Sequence, residues 1–169
     1  MLRLSRLRTL VTLLGLVIAS GAWVAHTSAE MSTPTTGAND VTLILIEHAD
    51  LVTEIDLGEP RASVGDLLVW GPNALYDEAD VHDTGATTQG SCIAFNAASD
   101  CLAAETILFP DGSTLEFQGI ERGDSPAVRT IVGGSGRYLG AIGTMTAAPS
   151  ADLSRWTKTI EFVAQPGRE

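Results

Sequence analysis

The chain has 169 residues, with 21 Asp and Glu against 10 Lys and Arg, a formal charge of −11 and a hydrophobic fraction of 44%. That length holds one ordinary domain with a real core and leaves no comfortable room for a second. A surface this acidic repels phosphate backbones and anionic lipid headgroups, which argues against nucleic-acid and membrane-surface partners.

At the N-terminus, Arg3, Arg6 and Arg8 precede an almost uninterrupted apolar run from Leu10 to Val24, and the small residues Thr27, Ser28 and Ala29 follow it. A basic region, an apolar stretch and a small-residue end make the pattern of a secretory signal peptide. Residues 1–29 are therefore expected to be cleaved near Ala29, leaving a secreted, extracytoplasmic protein. The 15-residue stretch from Leu10 to Val24 falls short of the roughly 20 that span a bilayer, so no stable membrane anchor is expected. These 29 residues hold three of the ten basic side chains and none of the acidic ones, so the remaining 140 carry a net charge of −14. Residues 30–40, EMSTPTTGAND, lack apolar periodicity and read as a flexible leader. The domain proper is expected over residues 41–169.

From Val41 onward, short β-type segments alternate with turn residues. The pattern predicts strands near Val41 to His48, Asp66 to Trp70, Thr84 to Phe95, Cys101 to Leu108, Thr114 to Ile120, Ala127 to Val132, Leu139 to Ala147 and Trp156 to Val163. Eight short strands without a convincing long helix predict an all-β fold, closed as a barrel or stacked as a sandwich. Along the first strand Val41, Leu43, Leu45 and Glu47 alternate with Thr42, Ile44, Ile46 and His48. Both faces are largely apolar, as they would be in a barrel whose outside is covered by a subunit partner or a terminal segment.

The turns and cysteines add constraints. Pro110-Asp111-Gly112-Ser113 has the residue order of a tight hairpin. Asn96 to Ser99 turns the chain in the same way, which sets Cys92 and Cys101 on neighbouring antiparallel strands. In an oxidising compartment an even count close in sequence favours one disulfide; two buried free thiols are the alternative. No metal site is expected, because His26, His48 and His82 are scattered and His26 lies in the leader peptide.

The segment IVGGSGRYLGAIG, Ile131 to Gly143, carries five glycines. A phosphate loop would need a helix after it, but Tyr138 to Thr146 alternates like a strand. A glycine-rich hairpin suffices physically. The segment also resembles the glycine stretch of the allene oxide cyclase and dirigent proteins. Other motifs resemble that family's in the same order: DLGEPRASVGDLL at Asp56 to Leu68, GPNALYD at Gly71 to Asp77, TTQGSC at Thr87 to Cys92 and STLEFQG at Ser113 to Gly119. Together they cover about residues 41 to 147, and the resemblance implies an all-β, calycin-like, eight-stranded antiparallel β-barrel.

What the resemblance implies about chemistry follows residue by residue. Plant members close a ring on a fatty-acid epoxide without cofactor or metal, using a carboxylate, an ordered water held by Asn and Pro, and an apolar wall; physically this is confinement and electrostatic preorganisation. Asn73 matches the water-binding Asn, Pro60 the Pro of Gly-x-Pro, and Cys92 the barrel cysteine. The carboxylate falls on the first strand at Glu47 if a few extra residues separate that strand from Pro60; an ungapped match puts Leu51 there. Glu47 and Asn73 are thus the expected catalytic residues. Pro60, Trp70, Tyr76 and Tyr138 are the expected pocket residues. His48 and Asp50 resemble a His-Asp pair at the end of the dirigent first strand, and Arg137 with Tyr138 are candidates to close the barrel mouth.

A bacterial branch resembling the family performs [4+2] cyclisation of linear polyketides. The expected function is therefore a cofactor-free cyclase or isomerase acting on a hydrophobic small molecule, with a dirigent- or lipocalin-like binding barrel as the alternative. Kinship also implies a homo-oligomer, trimer or dimer, which the two-sided apolar strands allow without requiring.

Overall fold

A computed structural model of the protein describes residues 40–58, 60–98 and 100–163. The expected signal peptide, nearly all of the leader and the last six residues lie outside these. Nine strands follow in order: β1 Asp40–His48, β2 Val52–Ile55, β3 Leu67–Tyr76, β4 Asp83–Ala94, β5 Cys101–Leu108, β6 Thr114–Glu121, β7 Ala127–Gly134, β8 Ile142–Pro149 and β9 Arg155–Val163. From β3 to β9 each strand pairs antiparallel with the next, and β1 pairs along its whole length with β9. Pairing of Ile46 with Tyr76 and Glu47 with Leu75 joins β1 to β3 and closes an eight-stranded antiparallel barrel. Closure removes the exposed sheet edges that an open all-β domain would have to protect.

The short strand β2 runs along the other half of β3, Val52 opposite Trp70 and Ile55 opposite Leu67. It extends the path of β1 after a break at residues 49–51. The strand predicted to end at Trp70 instead continues through Gly71, Pro72 and Asn73 to Tyr76. A register shift between Trp70 and Asn73 explains this. Pro72 has no N–H to give the ladder, and a bulge is where a strand tolerates that. Gly71 takes φ +89°, and a Cβ there would stand 2.3 Å from the Thr88 carbonyl oxygen.

The glycine-rich hairpin also departs from its expected outline. After β7 a one-turn 3₁₀ helix spans Gly136–Tyr138, and β8 begins at Ile142 rather than Leu139. This turn carries Tyr138 onto Phe109 and Phe162, with ring centroids 4.6 and 5.7 Å apart. Arg137 lies over both Phe109 and Tyr138. One end of the barrel is thereby stoppered, and Leu45, Leu75, Ile107, Leu115, Phe117, Met145 and Ile160 fill the lumen beneath the stopper. Burying such aliphatic side chains stabilises by about 1.5–3 kcal/mol each.

At the other end, Cys92 on β4 and Cys101 on β5 form a disulfide with Cα atoms 5.4 Å apart. The intervening turn is organised by Asn96, whose Oδ1 accepts from the N–H groups of Ala98 and Asp100. Both cysteines point into the barrel and are buried. Closing so short a loop stabilises by about 2–3 kcal/mol in the chain-entropy account. Chemical denaturation with and without reductant should show a loss of that size, with the barrel remaining folded when reduced.

A candidate active-site cavity

Period-two alternation turns Glu47, Glu105, Glu121, Arg129 and Lys158 inward from five different strands, and all five are buried. They form one connected chain. Lys158 Nζ lies 2.8 Å from a Glu47 oxygen and 2.5 Å from Glu105 Oε1. The Arg129 guanidinium reaches Glu105 with one terminal nitrogen and Glu121 with the other. Thr88 Oγ1 donates to Glu105 at 2.5 Å, and Asn73 Nδ2 donates to Glu47 at 2.7 Å. Small residues make room for the large ones. Gly119 faces Arg129, and a Cβ on Gly90 would stand 2.5 Å from the Trp70 indole.

The electrostatics set Glu105 and Glu121 apart. Burial opposes the charge on Glu105, but Lys158 and Arg129 outweigh it and hold its pKa below the ordinary value. Burial likewise disfavours a charged Lys158, yet Glu105 and Glu47 keep it firmly protonated. At Glu121 burial wins: Arg129 offsets it only in part, Glu105 and Glu47 repel a further negative charge, and the pKa is raised. Glu121 is therefore a carboxyl whose charged form burial disfavours, the kind of group suited to proton transfer.

Above the ionic layer the barrel opens. A cavity of about 290 Å³ is walled by Leu68, Cys92, Ala94, Cys101 and Trp156, with Glu121 in its lining. A smaller cavity of about 110 Å³ reaches Glu47, Glu121, Trp70 and Trp156. Glu121, Leu68 and Trp156 line both. The mouth is formed by β2 and the loop to β3, where Asp66 accepts from the N–H groups of Leu57 and Ser63. Among the described residues only Arg129 hydrogen-bonds to Glu121, through Oε2; Oε1 has no protein partner and is open to the cavity rather than sealed in the interior. Two buried donors, Trp70 Nε1 and Arg129 Nε, also lack a partner. Cys92, Cys101 and Glu121 come within 4.8 Å of one another, but the sulfurs are joined to each other and are not free to ligate a metal.

The structure brings some of the expected site residues together and disperses others. Glu47 and Asn73 are in direct contact, and the Asn73 carbonyl oxygen also accepts from Leu51 N–H. Asn73 stands behind Glu47 rather than on the cavity surface. Trp70 lines the smaller cavity. Pro60 lies exposed beside Arg61, which does line the larger one. Tyr76 and Tyr138 are elsewhere than expected. Tyr76 follows the inward Leu75 and so points outside, where it stacks on His48 at 3.8 Å; His48 hydrogen-bonds Asp80 at 2.6 Å rather than Asp50. Tyr138 belongs to the stopper at the opposite end. Glu105, Glu121, Arg129, Lys158 and Trp156 lie outside the resembling motifs, although Glu105, Arg129 and Lys158 each interrupt an apolar face, as in Ala103-Glu105-Ile107 and Ala127-Arg129-Ile131.

The sequence matches no protein-family model and no curated protein. Solved structures share the fold. A pterocarpan synthase dirigent protein superposes with a TM-score of 0.63 at 18% identity, over 77% of this chain and 98% of that one. Pyocyanin demethylase gives 0.62 at 22%, over 72% and 99%. The Diels Alderase AbmU from Streptomyces koyangensis gives 0.61 at 23%, over 77% and 72%. The chain is thus an eight-stranded barrel of the architecture that dirigent proteins and a cyclase use, as the resemblance implied.

The buried layer makes two predictions. Lys158→Met leaves Glu47 and Glu105 without their shared cation and should destabilise by roughly 3–5 kcal/mol in denaturant titration. Stability should also fall on both sides of a mildly acid optimum. The lowered pKa of Glu105 means its contribution is present above the free value of 4.5 and lost as pH falls below it. The raised pKa of Glu121 has the opposite sign, so its contribution is lost as pH rises through that pKa. Melting temperature against pH should show both limbs in the native protein, and Glu121→Gln should flatten the alkaline one alone.

Proposed function

We propose that this barrel is a cofactor-free cyclase or isomerase that confines an apolar small molecule at its open end and moves a proton through Glu121. The observation that carries this reading is the cavity of about 290 Å³, largely apolar, with the buried carboxyl of Glu121, its pKa raised by burial, in its lining. Confinement supplies the conformation in which two distant atoms of a flexible chain meet, which is the entropic part of such a barrier. Glu121 gives or takes the proton that an isomerisation requires, and Arg129 stabilises its ionised form. Glu47, the first-strand carboxylate, keeps a supporting role: held between Asn73 and Lys158, it fixes the floor of the smaller cavity. The fold shared with a Diels Alderase agrees with the confinement part of this reading.

The alternative is a secreted barrel that holds a hydrophobic ligand without changing its bonds, and the same cavity would serve it. Export is supported by the basic-then-apolar N-terminus and by the buried disulfide. A homo-oligomer would cover the outward row Ile93, Leu102, Ile120 and Val128, which is exposed across β4 to β7.

Incubation with linear polyenes and epoxides, followed by mass and retention analysis for a ring product, separates enzyme from binder. With an enzyme, Glu121→Gln should lower turnover by about 10²–10⁴-fold while leaving the affinity for these neutral probes nearly unchanged. Equal turnover by this variant would remove Glu121 from the mechanism, and saturable binding without product would leave the binding barrel.

A further inference from the structure

The charge inside the barrel does not balance. Glu47, Glu105 and Glu121 face only Arg129 and Lys158 in the buried chain, so one negative charge is left over when all are ionised. The larger cavity's rim repeats the excess, with Glu54, Asp56 and Asp66 against Arg61. Asp66 is fixed in its charged form by the backbone N–H groups of Leu57 and Ser63, which lower its pKa. With the cavity empty, burial relieves the inner excess by favouring a proton on Glu121. A cation seated there would do the same more strongly, because a Coulomb attraction of this kind grows as water is excluded.

The remaining wall suits such a guest. Trp156 lines both cavities and Trp70 the smaller one, and aromatic side chains attract organic cations by about 0.5–2 kcal/mol. Leu68, Ala94 and Leu153 supply apolar surface for the rest of the molecule. The unpartnered Oε1 of Glu121, on a side chain only 10% exposed, is where the charge would sit.

We propose that the cavity takes an apolar or aromatic molecule bearing a cationic, ammonium-type nitrogen, with the nitrogen against Glu121 and the apolar body along Trp156. This rests on the cavity being the ligand site, and it names the chemical class that site selects. Binding of the cation displaces the proton from Glu121. Affinity therefore rises with pH through the Glu121 titration and levels off above it.

The test is calorimetry on the exported barrel with three probes of one shape at pH about 8, above the ordinary carboxylate range. They are phenethyltrimethylammonium, its neutral carbon isostere with a tert-butyl end, and phenylbutyrate. The cation should bind at least about tenfold more tightly than the isostere, and phenylbutyrate should not bind. Glu121→Gln should abolish the tenfold preference. In the native protein, cation binding at mildly acid pH should release a proton, read as a heat that changes with the buffer's ionisation enthalpy; this measurement stands even if the variant folds poorly. An isostere that binds as tightly as the cation, or phenylbutyrate binding best through Arg61, overturns the cation proposal and leaves the cavity a ligand site. Failure of all three probes, together with no product from any polyene, overturns the ligand site as well.

Discussion

Inside the barrel the Lys158 ammonium lies between Glu47 and Glu105, where water is excluded and an unpaired charge would cost several kcal/mol. The rest of the interior is arranged around that need. Glu105 must also receive Arg129 and Thr88, and Arg129 in turn must reach Glu121. Five strands are tied across the lumen by groups whose separations are set by hydrogen-bond geometry. Hydrocarbon alone would let the lumen collapse to fill the space; a rigid polar layer does not. The cavities above it persist for that reason.

The two ends of the barrel follow from the same layer. Below it the lumen is packed with aliphatic and aromatic side chains and stoppered by Tyr138 and Phe162. Above it the inward positions on β4 and β5 are small, Ala94, Cys92, Cys101 and Ala103, and the disulfide holds the strands that carry them. Small inward residues on one side of a fixed layer leave space, and large ones on the other side fill it. The glycine-rich hairpin therefore serves the closed end, and the segment around Glu121 serves the open one.

Much of the barrel was legible in the sequence, because strand alternation and turn chemistry are local. The hairpin at Pro110 to Ser113 and the bridge between Cys92 and Cys101 needed only neighbouring residues. β2 was missed because Val52 to Ile55 is too short and too exposed to show a pattern, and its pairing depends on β3. The extension of β3 through Pro72 was hidden by turn-like residues that a bulge accommodates. The ionic layer could have been found: a charged residue set between apolar ones at period two marks an inward charge, and Glu105, Arg129 and Lys158 each show it. Their mutual pairing could not, since it links residues as distant in sequence as Glu47 and Lys158. Motif resemblance led to Glu47 and Asn73, which proved to be partners of each other, whereas Glu121 is the last residue of β6 and has no inward apolar residue after it to mark it as an interruption.

Glu121 is the least justified residue of the layer on stability grounds alone. A glutamine at that position would still offer an oxygen to Arg129, without the repulsion from Glu105 and Glu47 and without the burial of a third acid. A residue that breaks the local rule, while its neighbours obey it, is where function is expected to lie. The break here faces the cavity, not the packed end, and its second oxygen, which has no protein partner, is a position in the lining that a bound molecule would complete. The same surplus charge that weakens the empty barrel is thus what gives the occupied one its preference.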